Sequence, residues 1–333
     1  MSEYRVAVFS TKPYDQKSFL DQNETNVRLT FFDVGLNSKT VTLCQGFDAI
    51  CVFVNDVVDK DILETLAKFQ VQAIVLRCAG FNNVDLNAAR RHGIHVAHVP
   101  AYSPEAVAEH TIALIMTLNR KLHKAYNRTK EDNFSLQGLL GFNIHGKTVG
   151  LIGTGKIGLA TARIFKGFGA KVIATDPQVN PLCEELGVQY KSLEAVLKAS
   201  DIVSLHCPLN ASTQHIVNCQ TIKLMKPGVM IINTGRGALI DSQCLIDNLK
   251  SGHIGYLALD VYEQESELFF EDRSDTIVQD DVFQRLLTFP NVLITGHQGF
   301  FTHEALTEIA TTTLDNALSL EKTGTCPNII SRE

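Results

Sequence analysis

The sequence predicts an α/β protein built as two doubly wound parallel-sheet domains. Short apolar runs rich in β-branched residues alternate with helical stretches along the chain, the pattern of strands joined by helical crossovers. One such run opens directly onto a glycine-rich turn, Gly153-Thr-Gly155-Lys-Ile-Gly158. A length of 333 residues is enough for about two cores.

Taken in order, Arg5 to Ser10 reads as a strand, and Thr11 to Asp15 as a turn into a short helix. Leu29 to Asp33, Ala49 to Val54 and Ala73 to Leu76 are further buried-strand runs, with a helix expected over Lys60 to Phe69. This first layer ends near Val96 to Pro100. The signals change at Tyr102-Ser103-Pro104-Glu105. Ser103 is a good N-cap, Pro104 suits the first helical position, and an Ala/Leu/Ile-rich helix is expected to run on towards Tyr126.

Lys147 to Ile152 is the strand that meets the glycine turn. Ile157, Ala160, Thr161, Ile164 and Phe168 then fall at helical spacing, Gly169 can cap the end, and Lys171 to Thr175 is a second strand closing on Asp176. Gly153 permits the tight turn, Gly155 lets a pyrophosphate approach the backbone, and Gly158 lets helix pack on strand. Asp176 lies at the distance from the turn where a carboxylate reads the ribose hydroxyls and repels a 2′-phosphate. The unit therefore points to NAD rather than NADP. Further strands follow at Ile202 to Leu205, Val229 to Asn233, Tyr256 to Leu259 and Val292 to Thr295. The remainder, dominated by a helix from His303 to Lys322, is too short for a third domain and is expected to return to the first.

Composition narrows the function. With 30 Lys+Arg against 36 Asp+Glu, the charge of −6 gives no reason to expect nucleic acid or an anionic membrane as partner. The basic helix end RKLHKAYNRTK lacks interleaved aromatics and reads as a solvated or subunit-contacting face. MSEYRVAVFS has no signal-peptide pattern, and the longest apolar stretch, Thr111 to Leu118, is far too short to span a bilayer, so a cytoplasmic protein is expected. The eight cysteines include no CxxC pair and no histidines at ligand spacing. No metal site is expected, and the cysteines read as small buried hydrophobes in a reducing compartment.

In an open parallel sheet, ligands bind beyond the carboxyl ends of the strands. Those positions hold His206-Cys207-Pro208, Thr234-Gly235-Arg236-Gly237, Asp260 and Gly296-His297-Gln298. Arg236, flanked by glycines, offers a planar fork for a carboxylate, although a structural pairing with a nearby acid is the alternative. His297 is a candidate acid/base, because imidazole titrates nearest neutrality. The remaining histidines read as structural. A partner acid cannot be chosen among Glu263, Glu265 and Glu267 by spacing.

GTGKIG with Asp176, NTGRGALID at 233–241, ALDVYEQE at 258–265 and GHQGF at 296–300 resemble the D-isomer-specific 2-hydroxyacid dehydrogenase family. VFSTKPYD, VFVND, LRCAGFNNVDL, VPAYSPEAVAEH, LHCPL and the long stretch between Glu265 and His297 are similar to its fermentative D-lactate dehydrogenase branch. The resemblance implies a Rossmann NAD domain, 103–298, inserted into a discontinuous flavodoxin-like substrate domain, 1–102 and 299–333. It implies that Arg236 binds the substrate carboxylate, that His297 donates a proton, and that Glu265 orients His297 and raises its pKa.

The same resemblance places the N–H groups around Ala79 and Gly80, with Tyr102, at the carboxylate, and Phe53 and Phe300 around a small methyl group. For the cofactor it implies Gly153, Gly155, Lys156, Ile157 and Gly158 at the pyrophosphate turn and Asp176 at the ribose. Cys207, Pro208, Thr234 and Asp260 would lie along the nicotinamide half, and Thr213 in the cofactor loop stands where relatives often carry Asn. The expected reaction is NADH-dependent reduction of pyruvate to D-lactate in a homodimer or homotetramer. Alternatives are another small 2-keto acid, such as the ketone of glycerate or a bulkier analogue, and an NADH-sensing co-repressor-like binding protein.

Overall fold

A computed structural model describes residues 3–24, 27–265, 268–270 and 272–330. The chain begins with β1 (Tyr4–Val8), α1 (Pro13–Gln22), β2 (Val27–Phe31), β3 (Ala49–Val52), α2 (Lys60–Lys68), β4 (Ala73–Leu76), α3 (Leu86–Arg91) and β5 (His95–Ala97). It continues with α4 (Pro104–Arg120), α5 (Leu122–Lys130), β6 (Thr148–Ile152), α6 (Lys156–Gly167), β7 (Lys171–Thr175), α7 (Pro181–Glu185), β8 (Gln189–Tyr190) and α8 (Leu193–Ala199). Then come β9 (Ile202–Leu205), α9 (Cys219–Ile222), β10 (Val229–Asn233), α10 (Gln243–Lys250), β11 (Ile254–Leu259), α11 (Asp281–Leu287), β12 (Val292–Ile294) and α12 (His303–Thr323).

Two compact units result, Met1–Ser103 with Phe300–Glu333, and Pro104–Gly299. In the first, the five strands pair in parallel in the order β2-β1-β3-β4-β5, the flavodoxin-like order. The returning α12 packs on α1 and β4, and its Ala310, Leu314 and Ala317 join Val6, Val8, Phe19 and Val75 in one core. Parallel strands need both faces covered, which is why β3 and β4 are buried at every position.

The second unit is a seven-stranded parallel sheet, β12-β11-β10-β9-β6-β7-β8, in the Rossmann order extended by one strand. Side chains alternate across it as the pleat requires. Val203, Leu205 and Ile231 feed one core, while Val149, Leu151, Ile202, Met230 and Ile232 feed the other. No helix among the described residues is long and apolar enough to cross a membrane.

Three details depart from the sequence reading. The helix expected to reach Tyr126 breaks at Lys121, whose left-handed φ of 51° ends α4 and starts α5 in a new direction. The two-residue strand β8 was not foreseen, being too short to carry a period. The expectation that all cysteines are isolated hydrophobes fails for Cys219 and Cys244. They form a disulfide with Cα atoms 5.1 Å apart, because the parallel bridge Val217↔Ile240 lays their two segments side by side. Of the other six, five are buried and Cys207 is half-buried.

Candidate active site

At the end of β6 the chain turns through Gly153 at φ 100°, where any side chain would be strained and a Cβ would sit 2.5 Å from the Cys207 backbone nitrogen. At Gly158, on the first turn of α6, a Cβ would lie 2.3 Å from the Gly153 carbonyl oxygen. Strand and helix therefore approach as closely as glycine permits. Gly155, the N-cap of α6, faces open space, with Lys156 and Ile157 beside it on the first turn. Unpartnered N–H groups at that end suit an anion such as a pyrophosphate.

Asp176, just past β7, accepts from the Thr154 N–H at 2.7 Å and the Gln178 N–H at 2.9 Å, which fixes its carboxylate at the rim of a cavity of about 530 Å³. Gly153, Pro208, Asn210, Thr213 and Ile216 line the cavity with it. This wall is built for a nucleoside. It combines apolar surface for a base with a carboxylate for ribose hydroxyls, so the residues present fit NAD.

Thr213, the departure from the family pattern, closes its own loop. Its hydroxyl donates to the Pro208 carbonyl at 2.6 Å and accepts from the Asn210 N–H at 2.9 Å. Burial pushes the Cys207 thiol up to about 11, so it is an apolar wall rather than a nucleophile. Sequence reasoning missed Tyr190 on β8, whose hydroxyl bonds Thr154 Oγ1 at 2.9 Å and steadies the glycine turn from behind.

The candidate acid/base His297 and Glu265 meet beyond the ends of β11 and β12. His297 Nδ1 lies 2.8 Å from Glu265 Oε1, and Glu265 Oε2 accepts from the Tyr262 N–H at 2.9 Å. Phe270 packs on the imidazole with ring centroids 5.6 Å apart. Glu263 turns away to His215 Nε2 at 2.6 Å, and Glu267 lies outside the described residues. The choice that spacing left open is thus made by which glutamate faces the strand ends.

His297 itself has a φ of 53°, uncommon for a non-glycine residue, and Asp260 holds it there. The Asp260 carbonyl accepts from the His297 N–H at 2.7 Å, and its carboxylate accepts from Gln298 N–H at 2.9 Å and Gly299 N–H at 2.7 Å. Thr295 Oγ1 and His110 Nε2, the latter at 3.1 Å, complete the cluster. Burial alone would raise the Asp260 pKa. The bonds from His110, Thr295 and Gln298 outweigh it and hold the carboxyl down at about 2. His110 and Thr295 carried no sequence signal, since His110 is 150 positions from its partner.

Arg236 follows β10 in a loop fixed by Asn233, which accepts from the Gly235 N–H at 3.0 Å and donates to the Arg236 carbonyl at 2.9 Å. The guanidinium donates to the Gly235 carbonyl at 2.8 Å. Thr234 Oγ1 is paired with Thr111 Oγ1 at 2.8 Å, locking β10 to α4. Among the described residues no cluster of His, Cys, Asp or Glu could hold a metal.

The first unit assembles its own group. Phe300 lies with ring centroids 6.3 Å from Phe53 and 6.1 Å from Tyr102. Arg77 stacks 4.2 Å over Phe53 while pairing with Asp15 at 3.4 Å. Ala79 and Gly80 are held through their carbonyls, which meet His98 Nδ1 at 2.8 Å and Cys78 Sγ at 3.2 Å. That leaves the half-buried loop's N–H groups as its remaining polar face.

Two doubly wound parallel sheets, a glycine turn with an acid at the end of the next strand and a histidine–glutamate pair at the strand ends define a nicotinamide-dependent dehydrogenase. The family model "D-isomer specific 2-hydroxyacid dehydrogenase, NAD binding domain" matches residues 112–299, and the chain belongs to this family. It is 54% identical to a D-lactate dehydrogenase of Escherichia coli over 325 residues, 97% of this chain and 99% of that one. The apo-structure of D-lactate dehydrogenase from Escherichia coli superposes with a TM-score of 0.90 at 52% identity, covering 98% of this chain and 99% of that one. The pyruvate reductase of Chlamydomonas reinhardtii is also similar, with a TM-score of 0.90 at 46% identity over 95% of both chains.

Proposed function

We propose that the protein reduces pyruvate to D-lactate with NADH, reversibly. The observation that carries the reading is the 2.8 Å His297–Glu265 pair at the strand ends, in a chain 54% identical to a D-lactate dehydrogenase. Arg236 anchors the substrate carboxylate and polarises the adjacent keto group, since a guanidinium matches a carboxylate fork for fork. Bound NADH supplies the hydride for the keto carbon. His297, with Nδ1 committed to Glu265, hands a proton from Nε2 to the developing alkoxide. Glu265 sets the ring's orientation.

In this reading Asp176 binds the adenosine ribose, Gly155, Lys156 and Ile157 face the pyrophosphate, and Asp260 contributes at the nicotinamide end. Ala79, Gly80 and Tyr102 contact the substrate carboxylate, and Phe53 and Phe300 face a small methyl group. The enzyme works in the cytoplasm and regenerates NAD during fermentation. A homo-oligomer is supported by Leu122, Tyr126, Phe134, Leu136 and Leu140, which lie 53 to 86% exposed on one stretch of the second unit.

The test is NADH oxidation by purified protein with pyruvate, followed by enantiomer analysis. D-lactate should form, and His297→Ala should lower kcat by about 10³-fold, the scale of losing a positioned general acid. L-lactate as product, or an unimpaired His297→Ala variant, would refute the assignment.

A further inference from the structure

The wall of the NAD cavity and the Cys219–Cys244 disulfide belong to the same stretch of chain. Pro208, Asn210, Thr213 and Ile216 line the cavity, and Cys219 follows three residues after Ile216. The intervening turn is rigid. Asn218 donates to the His215 carbonyl at 2.8 Å and accepts from the Gln220 and Thr221 N–H groups, while Thr221 Oγ1 donates to the Ile216 carbonyl at 3.0 Å. A restraint at Cys219 is therefore transmitted to the cavity wall.

The other end of the bond sits in α10, whose Cys244 is buried. Two residues before it, the Ser242 N–H donates to Glu263, the same carboxylate that pairs with His215. Bond and ion pair thus clamp the 207–218 segment to the α10 side at two points. Cys219 is exposed, whereas each of the six cysteines outside the disulfide is at least half-buried. Burial raises the thiol pKa of Cys44, Cys51, Cys183 and Cys207, which makes them poor nucleophiles.

We propose that Cys219 and Cys244 form a redox-modification site, exchanged by an external dithiol, whose state sets the affinity of the adjacent nucleotide cavity. The thiolate of the dithiol attacks the exposed Cys219 sulfur. The S–S bond breaks, and Cys244 leaves with the electron pair and takes a proton. Asp241 Oδ2, 3.2 Å from Cys244 Sγ, is in place to accept a hydrogen bond from that new thiol. The second thiol of the reagent then resolves the mixed disulfide and frees Cys219. The net change is a two-electron reduction of the protein disulfide and oxidation of one dithiol to its disulfide. In a reducing compartment disulfides that persist are mostly redox-sensing or catalytic, and this one touches no candidate catalytic group.

The inference rests on reading the cavity as the adenosine side of the NAD site. The full-length enzyme would be equilibrated across ratios of reduced to oxidised dithiothreitol and trapped with an alkylating reagent. The bond would be counted by peptide mass, and NADH affinity measured by fluorescence titration of the same samples. NADH should bind about 5-fold tighter in the oxidised form, the scale of ordering one or two side chains before binding rather than during it. kcat at saturating NADH should not change. Cys219→Ser and Cys244→Ala should each stay at the reduced-form affinity in every buffer. Equal affinity in both forms, a bond that never forms, or a redox response that survives in Cys219→Ser would overturn the inference. Absence of NADH binding in both forms would overturn the cavity reading as well.

Discussion

Each unit buries one aspartate that gathers the backbone N–H groups of its strand-end loops, and the pKa values of the two are shifted in opposite directions. Asp56 and Asp260 are both 1% exposed. Asp56 accepts from the Ser10 hydroxyl at 2.7 Å and from the Leu36 and Phe53 N–H groups at 2.6 Å. Burial dominates there, and the carboxyl pKa is raised. Asp260 suffers the same burial, yet its donors, with His110 foremost, bring it down to about 2. The same burial is thus outweighed by donors at Asp260 and not at Asp56. The site that holds His297 is the one built to keep its charge.

The largest expected effect breaks the first unit's charge balance. Arg77, 3% exposed, is the cation beside Asp15, whose own pKa is raised by burial and only partly restored by Arg77. Arg77→Met would leave Asp15 buried without its partner and should cost about 3–5 kcal/mol in urea unfolding. A cost under about 1 kcal/mol would show that Asp15 is already neutral in the native protein.

Asp260→Asn comes next. Its native pKa of about 2 lies below the ordinary 3.8, so its contribution is present above pH 4 and lost as pH falls from about 4 to about 2. That amounts to about 2 kcal/mol at neutral pH. The variant should lose roughly that much and show a flatter acid limb. Asp56 has the opposite sign: its raised pKa contributes stability below the unfolded value, lost as pH rises through the folded one. Amide protection at Phe53 and Leu36 should therefore outlast that at Gln298 and Gly299 as pH falls towards 2. Parallel loss at both loops would remove the contrast.

What could be read from the sequence follows the same division between local and distant. Ala73–Leu76, Ile202–Leu205 and Val229–Asn233 were legible to the residue, because a strand covered on both faces has nothing but apolar side chains to show. The glycine turn and the acid at the end of the next strand, Asp176, were legible because both belong to one strand-turn-helix-strand unit. Lys121 was not, since a single left-handed residue leaves the apolar pattern of α4 and α5 intact. Spacing alone did not show the partner of His297, because Glu263 and Glu265 differ only in which way a loop faces, and the family resemblance was what singled out Glu265. The bond between Cys219 and Cys244, 25 residues apart, had no spacing signature and needed the bridge at Val217 to exist first.

His110 separates what keeps Asp260 charged from the carboxylate itself. Its ring contributes a bond of 3.1 Å to Asp260 Oδ1 and one of 3.2 Å to Thr295 Oγ1, from a side chain 16% exposed. His110→Phe keeps the volume but removes the donor, and should cost about 1.5 kcal/mol, the lower range for a hydrogen bond to a charged group. Burial would then oppose fewer donors, so the Asp260 pKa should rise towards the condition of Asp56. The acid limb of unfolding should move to higher pH with it. The His297 loop would keep its Gln298 and Gly299 bonds, so kcat with pyruvate should fall less than in Asp260→Asn. A variant that loses stability without any shift of the acid limb would mean that His110 only fills space beside Asp260, and that the backbone donors alone hold the charge.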